Sequence, residues 1–187
     1  ITEGLVGSEM CIRDRFEGGS INFNSTKKNK VTNAELKIDD FRLKKLPVFV
    51  KILTLASLNG IADLLSGDGI KFDELDMKFN KKKKVTNIEE LYAIGPDISL
   101  LLDGYVDGDK LVSLKGTLVP AAEINKLISA IPVIGDLLVG KKPGEGIFGV
   151  SFKVKGPPKD LKTTVNPIKT LTPRFITRTL EKIKKTN

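Results

Sequence analysis

The chain has 187 residues, enough for one domain with its own core, and 40% hydrophobic content with mean hydropathy near zero excludes a disordered tail and a membrane bundle. It contains no histidine and a single cysteine, Cys11, which removes the usual ligands for zinc, iron or copper, any internal disulfide and every His-assisted nucleophile. The net charge is +8, yet only five of the 31 cations are arginine and 6% of residues are aromatic, so base reading and base stacking are poorly served and no nucleic-acid partner is expected.

The run Gly4 to Arg15 resembles the translation of a transposase-based sequencing adapter, so residues 1–15 are set aside as a non-native segment, and Cys11 with them. The remainder divides into a β-rich unit over 16–172 and a basic amphipathic helix over 173–187.

From Ser20 to Asp40 the pattern has period two: Ile21 and Phe23 alternate with Asn22 and Asn24, then Leu36 and Ile38 alternate with Glu35, Lys37 and Asp39. That is the signature of half-buried strands, joined by a hairpin loop at Lys27 to Lys30. Leu46 to Leu65 changes to a broad apolar helical face with Pro47 in the first turn, and Ser66-Gly67-Asp68-Gly69 is expected to stop it. Lys51, Asn59, Gly60 and Asp63 interrupt the segment, so it is read as a helix packed on a sheet and not as a membrane span.

Ile70, Phe72, Leu75, Met77 and Phe79 form a strand whose parity changes between Phe72 and Leu75, which predicts a β-bulge near Asp73 and Glu74; Lys81 to Lys84 closes it as a solvated turn. Val85 to Ile94, Asp97 to Val106 and Lys110 to Val119 continue an antiparallel meander, the last two joined at Asp107-Gly108. Pro120 to Val139 reads as one or two short helices broken at Pro132, and Gly140 to Gly146 as a flexible loop. Val150, Phe152 and Val154 mark another strand, answered across Gly156-Pro157-Pro158 by Leu161 to Val165, the pair ending at Asn166-Pro167. Thr172-Pro173 opens a terminal helix with Phe175, Ile176, Leu180 and Ile183 inward and Arg174, Arg178, Lys182 and Lys185 elsewhere. The fold class is therefore α+β and β-dominated: an antiparallel meander shaped as a groove, capped by two or three amphipathic helices and followed by a C-terminal helix.

Several stretches, in this order and spacing, resemble the C-terminal region of AsmA-like and YhdP-like, TamB-related bacterial envelope proteins. They are Asp40 to Leu43, Gly67 to Asp73, Gly116 to Ala121, Ile131 to Leu138, Gly144 to Val150, Lys155 to Pro157 and Val165 to Pro167. The resemblance implies a sheet folded lengthwise into a groove, standing in the periplasm and anchored in the inner membrane through an upstream segment. It further implies a role in carrying phospholipid toward the outer membrane and in envelope integrity, with phospholipid acyl chains as partner and no catalytic residue or cofactor. The alternative within the same resemblance is a structural or regulatory module that docks an outer-membrane or periplasmic protein without conducting lipid.

The candidate groove residues are Ile98, Leu100, Leu102, Val112, Leu114, Val150, Phe152 and Val154, which alternate along predicted strands. Their other reading is an ordinary sheet face covered by helices. Phe175, Ile176, Leu180, Ile183, Arg174, Arg178 and Lys182 of the terminal helix are candidates for contact with a membrane or a protein partner. Asp103, Asp107 and Asp109 lack the regular ligand spacing of a calcium loop, and Asp73, Glu74 and Asp76 occupy adjacent strand positions that point to opposite faces, so neither a metal site nor paired catalytic acids are expected.

Overall fold

Apolar residues at every second position of successive segments demand a sheet with one greasy face, and a computed structural model has that sheet. It describes residues 16–44, 46–58, 67–121, 145–171 and 174–179. The strands are β1 (Phe16–Glu17), β2 (Ser20–Lys28), β3 (Val31–Leu43), β4 (Ile70–Lys82), β5 (Val85–Ile94), β6 (Ile98–Asp107), β7 (Leu111–Pro120), β8 (Glu145–Gly156) and β9 (Lys162–Thr170). They form one nine-stranded antiparallel sheet in sequence order from β3 to β9, with β1 and β2 both pairing along the outer side of β3. The sheet is not closed, as β2 and β9 remain its two edges among the described residues.

The hairpins between β2 and β3, β4 and β5, β6 and β7, and β8 and β9 all turn at the same end of this meander. Turn chemistry is local. Asn29 and Lys30 take φ of 50° and 64°, the left-handed pair of a two-residue hairpin, so Lys27 and Lys28 belong to β2 and the loop is shorter than expected. The fourth hairpin also differs from expectation at its far side. β9 does not end at Asn166-Pro167 but runs on to Thr170, with Pro167 opposite Val150; proline is tolerated because β9 is an edge strand that needs no outward N–H.

The parity change in β4 is present, and β3 matches it. Ile38 pairs with Leu75 and Phe41 with Phe72, all four buried in one cluster, so two residues in each strand, Asp39 and Asp40 against Asp73 and Glu74, separate the inward rows. Asp40 takes φ 51°, a conformation aspartate tolerates better than most side chains. Because both strands shift at the same level, the pairing register survives, and the β-bulge expected near Asp73 and Glu74 is not there; the register shift involving β4 lies at Lys78/Phe79, against β5. Two lysines bridge the four acids gathered there: Lys71 lies 3.5 Å from both Asp40 and Asp73, and Lys37 lies 3.4 Å from Asp39 and 3.3 Å from Glu74.

One helix, α1 (Pro47–Leu55), crosses the greasy face and buries Phe49, Ile52 and Leu53 against it. Pro47 sits in its first turn as expected, but the helix stops at Leu55, ten residues before Leu65. The physical reason is a C-terminal cap at Ser57, whose φ of 59° turns the chain out while its N–H donates to the Thr54 carbonyl and the Leu58 N–H donates to the Leu53 carbonyl. Residues 59–66, and with them the expected stop at Ser66 to Gly69 in part, lie outside the described residues. The helices expected over Pro120 to Val139 also lie outside them, except that Pro120 ends β7 and Ala121 is helical; β8 already begins at Glu145, inside the expected Gly140 to Gly146 loop.

The left-handed conformation at Ser57 disfavours any side chain. Ser57→Gly is expected to raise the unfolding free energy by about 1 kcal/mol, measured by urea denaturation, because glycine adopts that conformation without the Cβ penalty.

Candidate functional site: an apolar trough

The inward rows of neighbouring strands lie side by side because the register places them so. Ile38, Leu75, Ala93, Leu100, Leu118 and Val150 stand on one line across β3 to β8, and Leu36, Met77, Leu91 and Leu102 stand on the next across β3 to β6. Each position follows from period-two alternation. The rows are bound by aromatic contacts at the β1 to β4 side, where the Phe41 ring stacks on Phe72 at 5.4 Å and meets Phe16 at 5.7 Å.

The sheet curls about this face. Phe16, Phe41 and Leu43 from β1 and β3 line the same cavity as Phe152 and Val154 of β8 and Leu161 of the last hairpin, and α1 touches β9 although it follows β3 in the chain. The cavity measures about 310 Å³, and each of its described lining residues is phenylalanine, leucine, valine, isoleucine or alanine. Six of the eight groove positions expected from alternation line it: Leu100, Leu102, Val112, Leu114, Phe152 and Val154. The other two, Ile98 and Val150, are 0% and 1% exposed and share the core cluster with Phe49, Ile52 and Leu53 of α1. Alternation alone does not separate the two groups, because it specifies the face and not how far a helix covers it.

Phe16, Phe41, Phe72 and the α1 residues Val48, Phe49 and Ile52 also line the cavity and were not among the expected groove positions. Their signal was the double parity change, which brings Phe41 and Phe72 back to the inward side. Gly116 makes room for the floor. It stands between Leu102 and Phe152 in register, and a Cβ there would fall 2.5 Å from the Phe152 ring and 2.6 Å from the Leu101 carbonyl oxygen.

The opposite face carries a second, smaller core of Tyr92, Leu101, Val119, Leu171 and Phe175. The helical segment 174–179 docks there. Phe175 is fully buried, its ring edge-on to Tyr92 at 6.0 Å, and Ile176 is half-buried against the same cluster. Arg174 and Arg178, expected to point elsewhere, reach sheet carboxylates instead: Arg174 Nε is 2.6 Å from Glu90 Oε2, Arg178 Nε is 2.7 Å from Glu90 Oε1, and Arg178 Nη2 is 3.7 Å from Asp76. A bulge at Glu89 and Glu90 gives β5 its extra residue at that place, where the Glu90 carboxylate and the Glu89 carbonyl oxygen both accept from Arg174, while the Glu89 carboxylate accepts from Asn80. These contacts engage Phe175, Arg174 and Arg178 within the molecule. Leu180, Lys182 and Ile183 lie outside the described residues.

Asp103 sits 3.5 Å from Lys115 and 3.6 Å from Arg174, a pairing role. Among the described residues no cluster of His, Cys, Asp or Glu has the arrangement of a metal site, and no helix is long and apolar enough to cross a membrane. No protein-family model matches the chain, and neither the comparison with curated proteins nor that with solved structures finds a match.

Burial pushes the Tyr92 phenol from its ordinary 10 up to about 12, against the opposing pull of its hydrogen bond with Thr179 and the nearby Arg178 guanidinium. The unfolded chain therefore loses this proton first as pH rises. The contribution of the neutral phenol is intact below about pH 10 and is lost toward pH 12, with a full effect of about 3 kcal/mol at about 1.4 kcal/mol per pKa unit. The stability difference between wild type and Tyr92→Phe, followed by denaturation from pH 9 to pH 12, is expected to shift toward the variant across that window. Gly116→Ala is expected to destabilise by about 1–3 kcal/mol, because the Leu101 backbone cannot yield as the Phe152 ring can.

Proposed function

We propose that the trough holds the acyl chains of phospholipid, and that the chain is the distal part of an inner-membrane-anchored periplasmic protein that carries phospholipid toward the outer membrane. The observation that carries this reading is the uninterrupted apolar lining of a cavity contributed by both ends of a curled sheet. The trough offers water no polar partner among the described residues, so hydrocarbon is favoured over water against its walls. A methylene chain is the natural occupant. Each buried CH₂ contributes about 0.8 kcal/mol, and a featureless wall exchanges one set of contacts for a similar one as the chain moves along it. The location and the direction of transport come from the family resemblance described above. No catalytic step is part of this reading.

A second reading, a module that docks an envelope protein without conducting lipid, is favoured by β2. All nine of its residues are exposed, Ile21 at 67% and Phe23 at 55%, so an apolar edge strand offers both side chains and backbone groups to another chain.

A photocrosslinking residue in place of Phe152 is expected to yield a protein–phospholipid adduct by mass spectrometry, whereas the same residue in place of Lys153, its neighbour on the other face, is not. The double variant Leu102→Gln, Leu114→Gln is expected to retain less than about a tenth of the co-purified lipid, as two polar groups enter a dry wall. Ser113→Gln, on the outer face of the same strand, retains it. Adducts at neither position, together with lipid-free purified protein, would defeat the lipid reading and leave the docking one.

A further inference from the structure

The turns of four of the five described hairpins collect at one end of the meander, the β5–β6 turn lying at the other, and the charges of those four are one-sided. Lys27, Lys28 and Lys30 come from the first turn and its flanks, Lys81 to Lys84 from the second, Lys110 from the third, and Lys155, Lys159 and Lys162 from the fourth. Against these eleven lysines the same turns hold three acids, Asp107, Asp109 and Asp160, a local balance of +8 that equals the net charge of the whole chain. The other 20 cations and 20 acids cancel.

Five lysines of the sheet and its border have partners that the turn lysines lack, though Lys51 and Lys153 show none among the described residues. Lys37, Lys44, Lys71, Lys78 and Lys115 each lie within ion-pair distance of a carboxylate on the sheet. None of the eleven turn lysines does so among the described residues, and all are exposed. Lys155 and Lys162 even stand directly opposite each other in the register, a like-charge pair that disfavours the hairpin it belongs to. The apolar cavity reaches the same end, where Val112 and Leu161 line it next to the fourth turn.

We propose that this lysine-rich end docks on a bilayer surface bearing anionic phospholipid, the eight strands β2 to β9 presenting a basic edge roughly 34 Å long at about 4.8 Å per strand spacing. Flexible lysines suit the diffuse negative potential of headgroups, which attracts each such charge within a Debye length, about 10 Å in 0.1 M salt. Arginine and aromatic rings, the groups that favour nucleic acid, are missing from these turns. The inference is independent of what the trough holds, since attraction to headgroups needs no hydrocarbon inside the protein.

Sedimentation of the full chain with vesicles tests it. Binding is expected to vesicles of phosphatidylcholine mixed with phosphatidylglycerol, to vanish with phosphatidylcholine alone, and to fall as salt rises. The variant K81Q/K82Q/K83Q/K84Q is expected to bind roughly a hundredfold more weakly. K155Q/K159Q/K162Q supplies an independent set from another turn and is expected to weaken binding in the same direction. A charge-matched control, K37Q/K44Q/K71Q/K78Q, removes four lysines from the sheet and is expected to bind within about twofold of wild type. Equal loss in the control would assign the effect to net charge and overturn the proposal. So would equal binding to both vesicle types, competition by soluble glycerol phosphate at millimolar concentration, or capture by single-stranded DNA without any vesicle binding. Vesicle binding with no acyl adduct at Phe152 would separate this result from failure of the trough reading.

Discussion

A mismatch of lengths governs the molecule. Every strand from β2 to β8 turns apolar side chains to the same face, but the only helix described over that face, α1, has nine residues and is about 13 Å long. A strand of 13 residues such as β4 runs about 43 Å. The helix covers Ile70, Ile98, Leu118 and Val150 at one end, and the sheet curls about the rest of the face. Curling brings β1 and β3 toward β8 and the last hairpin without pairing the edges among the described residues, so the sheet forms a trough and not a closed barrel.

The outer face obeys different physics. Its small core around Tyr92 is closed by Phe175, and the cations beside that ring are satisfied by Glu90 and Asp76 from the sheet, with the Arg178 guanidinium 5.8 Å from the centre of the Tyr92 ring. Hydrogen bonds and ion pairs therefore accumulate on one side and are missing from the cavity on the other. Separation of this kind keeps the interior dry, since no polar group there needs a water to complete it.

Much of this was legible in the residues. Period-two alternation located β3, β4, β6, β7 and β8 and the face each one buries; it also located β2, expected to be half-buried, whose nine residues are all exposed, and the parity change in β4 is present without the bulge it suggested. What escaped was set by partners distant in the chain. Nothing near Arg174 indicates that Glu90, 84 residues earlier, awaits it. Phe41 and Phe72 fall outside the expected groove because the parity change is plain in β4 alone, and its match in β3 shows only once the two strands are paired. The early end of α1 depends on a serine in a conformation usually given to glycine, against which the apolar pattern continuing to Leu65 argues. Pro167 looked like a terminator and is only an edge marker, a distinction that requires knowing which strand lies outermost.

Each strand from β4 onward pairs only with its neighbours in sequence among the described residues, and the turns of four of the five described hairpins lie on one side. A sheet of that kind is additive. Inserting or deleting a complete two-strand unit at a turn keeps the strand direction, and the end at which each turn falls, for everything downstream, whereas a single-strand change reverses both. Such a scaffold is therefore free to vary its capacity in discrete paired increments during evolution while its surface chemistry and handedness stay the same.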